Sequence, residues 1–327
     1  MNKDVSMIST YQIPVVVLAG PTGVGKTAFS LKIAHHFNGE VINADSMQFY
    51  RGLDIGTGKI MPTEMDQVPH HLLDILEPDK SFDVSAFVEQ AHQKIIEISA
   101  RQRLPIIVGG SGLYIEALLY PLELGRPGSN QPEIRQALEQ ELEKVGPTAF
   151  WQRLNEIDPQ AAKKIPQANT RRMIRAMEVI RSTGQLFSDQ RGHQQHQARY
   201  QHCLIVLDRP RAELYERINH RVLQMIDQGL AEEVARLFSL SQGSSWQSLQ
   251  GIGYKEWLPF FNYEKSQEEI IQDIQQHSRR YAKRQLTWFR NRFKDKHWLE
   301  IDDEQKALDN MLTIIQNDLE KGDESGR

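Results

Sequence analysis

The chain has 327 residues, 39% hydrophobic and 25% charged, with a net charge of −4, which is ordinary globular composition for one large domain or two. No apolar run approaches a membrane span, and the N-terminus lacks a signal-peptide pattern. Cys203 is the only cysteine, so neither an intrachain disulfide nor a cysteine-based zinc site is expected, and a reducing cytosol is the natural setting.

In chain order, Ile13-Pro14-Val15-Val16-Val17-Leu18-Ala19 has the apolar, β-branched character of a buried parallel strand. It runs into Gly20-Pro21-Thr22-Gly23-Val24-Gly25-Lys26-Thr27, an uninterrupted match to the phosphate-cradling pattern G-x-x-x-x-G-K-[ST]. Lys26 to Phe37 then reads as a helix, with Phe29, Ile33 and Phe37 at four-residue spacing. A strand feeding a helix through a glycine-rich turn presents backbone N–H groups and the positive helix end to an anion. Lys26 adds a point charge and Thr27 a hydroxyl ligand for Mg²⁺, so a bound phosphate or diphosphate is expected.

Glu40–Ala44, Pro105–Val108 and His202–Leu207 read as further strands, with helix-period segments such as Val84–Arg101 between strands. The alternation predicts an α/β fold, a doubly wound parallel-sheet core carrying the P-loop, with its ligand site at the carboxyl ends of the strands. Three loops leave that edge: the P-loop, Asp45-Ser46-Met47-Gln48 and Gly109-Gly110-Ser111-Gly112. On position alone, a helix N-cap or an outer-sphere partner of magnesium explains Asp45 as well as a catalytic role does. His70 and His71 resemble a metal pair, but adjacent residues point apart on a regular element and no third ligand is obvious, so a structural role is expected.

Residues 124–199 change character. A linker-like Gly125-Arg126-Pro127-Gly128-Ser129-Asn130 leads into helix-forming, Glu/Gln/Arg-rich sequence that ends in the Gln/His-rich run Gln190 to Gln197. This predicts a helical insertion domain between a first core part, 1–123, and a second, 200–327. Beyond Asp208 the pattern is almost wholly helical, and Arg217 and Arg221 share one face of a predicted helix.

The net charge hides a gradient. Ser278 to Lys296 holds eight Lys/Arg and one acid, Asp295, whereas Glu300 to Arg327 holds nine acids and three basic residues. At about 100° per residue, Arg279, Arg280, Lys283, Arg284, Arg290 and Lys294 fill an arc of roughly 140°. Tyr281, Trp288, Phe289 and Phe293 lie opposite; Leu286 sits near the edge of the basic arc and Arg292 among the aromatics. A one-sign face fits nucleic-acid contact, and the aromatics fit a core. The acidic end reads as a solvated, partly disordered tail.

The P-loop alone does not separate kinases, nucleotide hydrolases and other phosphate handlers. The next segments narrow the choice: Asp45-Ser46-Met47-Gln48-Phe49-Tyr50-Arg51-Gly52-Leu53-Asp54-Ile55-Gly56-Thr57-Gly58-Lys59, His70-His71-Leu72-Leu73-Asp74, Ser81-Phe82-Asp83-Val84-Ser85-Ala86-Phe87 and Gly109-Gly110-Ser111-Gly112-Leu113-Tyr114. They continue in Asn169-Thr170-Arg171-Arg172-Met173-Ile174-Arg175-Ala176-Met177-Glu178-Val179, Arg217-Ile218-Asn219-His220-Arg221-Val222 and Gly251-Ile252-Gly253-Tyr254-Lys255-Glu256. With Lys283-Arg284-Gln285-Leu286-Thr287-Trp288-Phe289-Arg290, they closely resemble the tRNA dimethylallyltransferases (tRNA isopentenyltransferases), from the P-loop to about Arg292. Ser111 stands where the family usually has Thr and keeps the hydroxyl. The C-terminal zinc finger of eukaryotic members is absent, so the resemblance is to the bacterial type.

The resemblance implies transfer of a dimethylallyl group from dimethylallyl diphosphate to N6 of the adenosine immediately 3′ of the anticodon in tRNA, releasing diphosphate. Asp45 is then the general base, while the P-loop, Ser111, Arg217 and Mg²⁺ on Thr27 hold the diphosphate; a share for Arg221 stays open. Contacts to tRNA are implied for Asp45 through Gln48, for Arg171, Arg172, Met173, Ile174 and Arg175, for Gln250, Gly251, Ile252, Gly253, Tyr254 and Lys255, and for Lys283 through Arg290. The insertion would close over the anticodon stem-loop of a cytoplasmic, monomeric enzyme without membrane contact. A small-molecule P-loop kinase remains the main alternative, though it leaves the basic helix without a purpose. A nucleotide-switched RNA-binding protein without isoprenoid chemistry is the third reading.

Overall fold

Six parallel strands form one sheet in a computed structural model of the chain, which describes residues 13–122, 132–189 and 197–325. The strands are β1 (Pro14–Ala19), β2 (Gly39–Asn43), β3 (His70–His71), β4 (Leu104–Gly109), β5 (Gln201–Asp208) and β6 (His297–Glu300), in the order β3-β2-β4-β1-β5-β6. The helices are α1 (Lys26–Phe37), α2 (Val84–Ala100), α3 (Gly112–Leu119), α4 (Pro132–Ile157), α5 (Pro159–Lys164), α6 (Thr170–Thr183), α7 (Arg211–Asp227), α8 (Leu230–Ser241), α9 (Leu258–Phe261), α10 (Gln267–Arg292) and α11 (Glu304–Ser325). No helix among the described residues is long and apolar enough to cross a membrane.

β1 is hydrogen-bonded to β4 on one side and β5 on the other. That position explains why its sequence is a continuous apolar run rather than an alternating one: both faces are covered, and Val15 to Ala19 are fully buried. Each of the Val and Leu side chains among them contributes about 1.5–3 kcal/mol on burial. The carboxyl ends of β1, β2 and β4 therefore lie side by side and deliver the P-loop, the Asp45 loop and the Gly109–Gly112 loop to one edge.

The structural role expected of His70 and His71 has a concrete form, and two other sequence expectations need correction. The pair His70-His71 is a short parallel edge strand on β2, with Val41 opposite His70 and Ile42 opposite His71. His71 Nε2 lies 2.6 Å from the buried Glu40 carboxylate, which also accepts from Arg101 at 2.6 Å. Burial pushes the Glu40 carboxyl up, but the bonds from Arg101 and His71 outweigh it and hold the group below its usual range. The stretch after Asp208 is not wholly helical, because β6 adds to β5 with His297 opposite Ile205. The acidic end is not a loose tail: it forms α11, whose Ala307, Leu308, Met311 and Ile315 are buried in the same core as β1 and β5. Nine acids masked a four-residue apolar stripe at helical spacing.

By its contacts the chain forms two compact units, one ending at Leu119 and resuming at Ala198, the other spanning Tyr120–Gln197. The linker-like Gly125–Asn130 run and residues 190–196 of the Gln/His-rich loop lie outside the described residues. Within the second unit, α4 breaks at Gly146 (φ 77), just before Pro147. Leu138, Phe150, Leu154, Met173 and Met177 form its core. Asp158 is fully buried, accepting from the Ala161 N–H at 2.9 Å and the Ser188 N–H at 2.7 Å.

Candidate active site

Gly25 caps α1 in the left-handed region (φ 107), a conformation that lets the P-loop turn its amides toward the helix axis. Lys26 folds back over the loop, its ammonium donating to the carbonyls of Gly20 at 3.0 Å and Pro21 at 2.8 Å. Burial pulls its pKa down to about 8, with the Asp45 carboxylate raising it and the Arg221 guanidinium lowering it. Thr27 is exposed in the first helical turn.

Side chains from distant elements hold the loop. Gln285 of α10 accepts from the Thr22 N–H at 3.0 Å and donates to the Gly110 carbonyl at 2.9 Å, so one amide ties the P-loop to the Gly109–Gly112 loop. A Cβ at Gly110 would fall 2.2 Å from Gln285 Nε2, and one at Gly112 would fall 2.4 Å from the Trp288 ring. These two glycines make room for α10. Arg209, buried just beyond β5, donates to the Val24 carbonyl at 3.0 Å and pairs with Glu213 at 2.5 Å and Glu304 at 2.8 Å. Arg217 of α7 is exposed and donates to the Gly23 carbonyl at 3.0 Å.

Asn43 shapes the Asp45 loop, its amide oxygen accepting from the Asp45 N–H at 2.9 Å. Asp45 in turn accepts from the Met47 N–H at 3.1 Å. Its charge acts on Lys26, Arg221 and Tyr281. Ser111 is buried, and its hydroxyl accepts from the Ser46 N–H at 3.2 Å. Burial, with the Asp45 charge adding to it, pushes the pKa of Tyr281 on α10 up to about 12, so the phenol keeps its proton. Arg221 lies over Gly58 and donates to the Thr57 carbonyl at 3.2 Å. It thus faces Lys26 and Asp45, whereas the arginine favoured from sequence, Arg217, reaches the loop at Gly23 and Gly25.

Glu233 of α8 organises the next turn. Its carboxylate accepts from the N–H groups of Asp54 at 3.0 Å, Ile55 at 2.9 Å and Gly56 at 3.0 Å, and from the Tyr254 hydroxyl at 2.7 Å. Gln48 donates to the carbonyls of Thr57 at 3.3 Å and Gly58 at 3.4 Å. Buried Lys59 donates to the Tyr50 carbonyl at 2.7 Å and bridges Asp54 at 2.7 Å and Asp74 at 2.6 Å. Removing Glu233 would strand three N–H groups that a buried carboxylate now satisfies. We expect Glu233→Ala to destabilise the protein by about 3 kcal/mol or more, read as a drop in thermal midpoint.

The structure sorts the residues expected to meet RNA. Lys283, Arg284, Thr287 and Arg290 are exposed on α10, as are Gln250 and Lys255. Arg290 covers the Trp298 ring at 4.9 Å, and Leu286 is half-buried. Gln285, Phe289 and Tyr254 are buried and bind the protein to itself. Gly253 is buried too, while Gly251 packs under Met47 and Ile252 is half-buried. In the second unit Arg171 and Arg172 are exposed in the first turn of α6, and Arg175 pairs with buried Glu178 at 2.8 Å. Met173 and Ile174 belong to that unit's core. Arg292, the cation among the aromatics, turns inward to a bidentate pair with fully buried Glu116, the shortest contact being 2.6 Å. Replacing Lys283, Arg284 and Arg290 together with Ala is expected to weaken RNA binding and reduce its log–log salt slope by about 2, because fewer counterions are released. Affinity for inorganic pyrophosphate should barely change.

Sequence reasoning missed Arg209, Tyr281 and Glu233 at this site. Arg209 was findable, since it directly follows a strand at the ligand-binding edge. Glu233 carries no local signal.

The IPP transferase family model matches residues 48–292. The chain is 48% identical to the tRNA dimethylallyltransferase of Latilactobacillus sakei, over 94% of this chain and 97% of the relative. Among solved structures it resembles the full-length tRNA isopentenylpyrophosphate transferase of Bacillus halodurans, with 41% identity and a TM-score of 0.73 over 96% of this chain and 99% of the other. It also resembles a eukaryotic dimethylallyltransferase acting on tRNA, with 27% identity and a TM-score of 0.78 over 93% of this chain and 80% of the other.

Proposed function

This chain belongs to the IPP transferase family and is a prenyltransferase acting on tRNA, and from that premise we propose the step that it performs. It moves a dimethylallyl group from dimethylallyl diphosphate to N6 of the adenosine immediately 3′ of the tRNA anticodon. The observation that carries this reading is the placement of a carboxylate, Asp45, within the charge field of the P-loop lysine. An anion cradle and a proton acceptor then share one sheet edge. As the C–O bond to the diphosphate breaks and the C–N bond forms, negative charge grows on the leaving oxygen and N6 sheds a proton. The proton goes to the Asp45 carboxylate. The P-loop amides, Lys26, Ser111 and Arg217 hold the diphosphate, and Arg221 joins them from the Asp45 side.

The donor set fits Mg²⁺, a hard cation that takes oxygen ligands and leans on substrate phosphates: Thr27 offers an exposed hydroxyl beside the cradle. When bound there, the ion would neutralise charge on the diphosphate. The exposed cations of α10 supply the phosphate contacts that an RNA loop needs, and the target base leaves its stack to reach the cradle. The enzyme works as a cytosolic monomer on this reading.

Incubation of the full chain with radiolabelled dimethylallyl diphosphate and undermodified tRNA tests the proposal. Label should enter tRNA at the N6 position of that adenosine. Brisk ATP hydrolysis with no prenyl transfer would overturn it in favour of a kinase or nucleotide switch.

A further inference from the structure

Away from the active site, Cys203 on β5, His297 on β6 and Asp318 on α11 bring a sulfur, an imidazole nitrogen and a carboxylate oxygen within 4.8 Å of one another. The sheet register explains the meeting. Ile205 is paired with His297, and side chains two apart on a strand share a face, so Cys203 and His297 project on the same side. Ala307, Leu308, Met311 and Ile315 seat α11 in the core that also contains Cys203 and Ile205, which brings Asp318 to the pair. From this geometry we propose that Cys203, His297 and Asp318 form a Zn²⁺ site in which solvent supplies the fourth ligand.

The donor set selects the metal. Thiolate with imidazole favours zinc and its neighbours over magnesium or calcium, and two anionic ligands balance the charge of a divalent ion. The single cysteine excludes a cysteine-rich site but not a mixed one. Tetrahedral ligands at about 2.0–2.3 Å from zinc stand about 3.3–3.8 Å apart, so the side chains need to move only by about 1 Å. His297 Nε2 lies 2.8 Å from Asp318, and the Cys203 thiol stands within 4.8 Å of both. Zinc takes the place of that thiol proton: one Zn–S bond forms, one proton goes to solvent, and neutral imidazole gives a lone pair. An entry path exists, since His297 is 41% exposed and the Lys321 side chain that pairs with Asp318 at 3.1 Å is 74% exposed and free to swing aside. Cys203 lies five residues before Asp208, about 17 Å along β5 from the P-loop edge, so the metal has no part in prenyl transfer and ties β5, β6 and α11 together.

Cobalt titration of the chelator-treated full chain is the test, because Co²⁺ reports a thiolate ligand by a charge-transfer band in the near ultraviolet. The expected result is one equivalent bound with that band, displacement by Zn²⁺, release of about one proton per metal and a raised thermal midpoint. Cys203→Ser should abolish the band. His297→Gln, at the more exposed position, should weaken binding about tenfold or more without unfolding the protein. Prenyl transfer should be the same with and without zinc. A cobalt spectrum without the thiolate band, or metal binding unchanged in His297→Gln, overturns the proposal and leaves the cluster a hydrogen-bond network.

Discussion

Asp45→Asn is expected to lower prenyl transfer by about 10²–10⁴-fold while tRNA binding persists. The substitution is nearly isosteric, and the Asn side-chain oxygen can still accept from the Met47 N–H that Asp45 now holds at 3.1 Å. The loop should therefore keep its shape and lose only its proton acceptor. An exocyclic adenine amine is a poor nucleophile because its lone pair is delocalised into the ring, so the rate rests on removing the proton as the bond forms. A second readout separates chemistry from architecture. The Asp45 charge props up the Lys26 pKa, so its removal should shift the pH at which pyrophosphate binding weakens to a lower value. Near-normal transfer by the variant would rule out the base; loss of tRNA binding alone would make Asp45 a positioning residue.

Lys26→Ala should cost on the order of 10²-fold or more in turnover, since the contact it removes strengthens as charge develops on the leaving diphosphate. In the free protein the ammonium is held by the Gly20 and Pro21 carbonyls, so diphosphate binding exchanges those two contacts for an anion. The pH dependence has a definite sign. Lys26 loses its proton as pH rises through about 8, so pyrophosphate affinity should fall above that value in the wild type and stay flat in the variant. Stability runs the other way: between about 8 and the ordinary 10.5 the unfolded chain holds the proton that the folded one has lost, so this residue's contribution to stability rises with pH across that window. A wild-type pyrophosphate affinity that is unchanged across that range would show that the Lys26 charge is not what holds the anion.

Most of the sheet could be read in advance because its inner strands are apolar on both faces. β1, β4 and β5 announce themselves by such runs, β2 shows only Val41-Ile42 between the buried polar residues Glu40 and Asn43, and the glycine-rich turns after β1 and β4 mark the ligand edge. The edges were hidden for a physical reason. β3 has two residues and β6 has four, too short to show a period, and Lys294, Asp295 and Lys296 precede β6 like a loop. α11 was obscured because its acids outnumber its buried positions. At the site, backbone geometry was legible and the side-chain supports were not. Gln285 meets Thr22 across 263 residues, and Glu233 meets Asp54 across 179, distances over which no local pattern carries information. Of the basic arc, Arg280, Lys283, Arg284 and Arg290 are exposed on α10, Arg279 is half-buried and Lys294 lies beyond the helix end, while Gln285 and Trp288 turn to the P-loop side, where Gly110 and Gly112 leave them space.

The strand order also sets a timetable for biosynthesis. β1 emerges first from the ribosome, yet one of its two neighbours is β5, and the residues of the second compact unit are made in between. That unit has its own core and can condense while β1 still lacks a partner on one side. Gln285 and Glu304, which reach the P-loop directly or through Arg209, are translated later still. A nascent chain halted between α1 and α10 should therefore carry a complete phosphate-binding motif without the amide that ties it to the Gly109–Gly112 loop. Chaperones that shield exposed β-strands have their longest window on β1, the strand that leads into the P-loop.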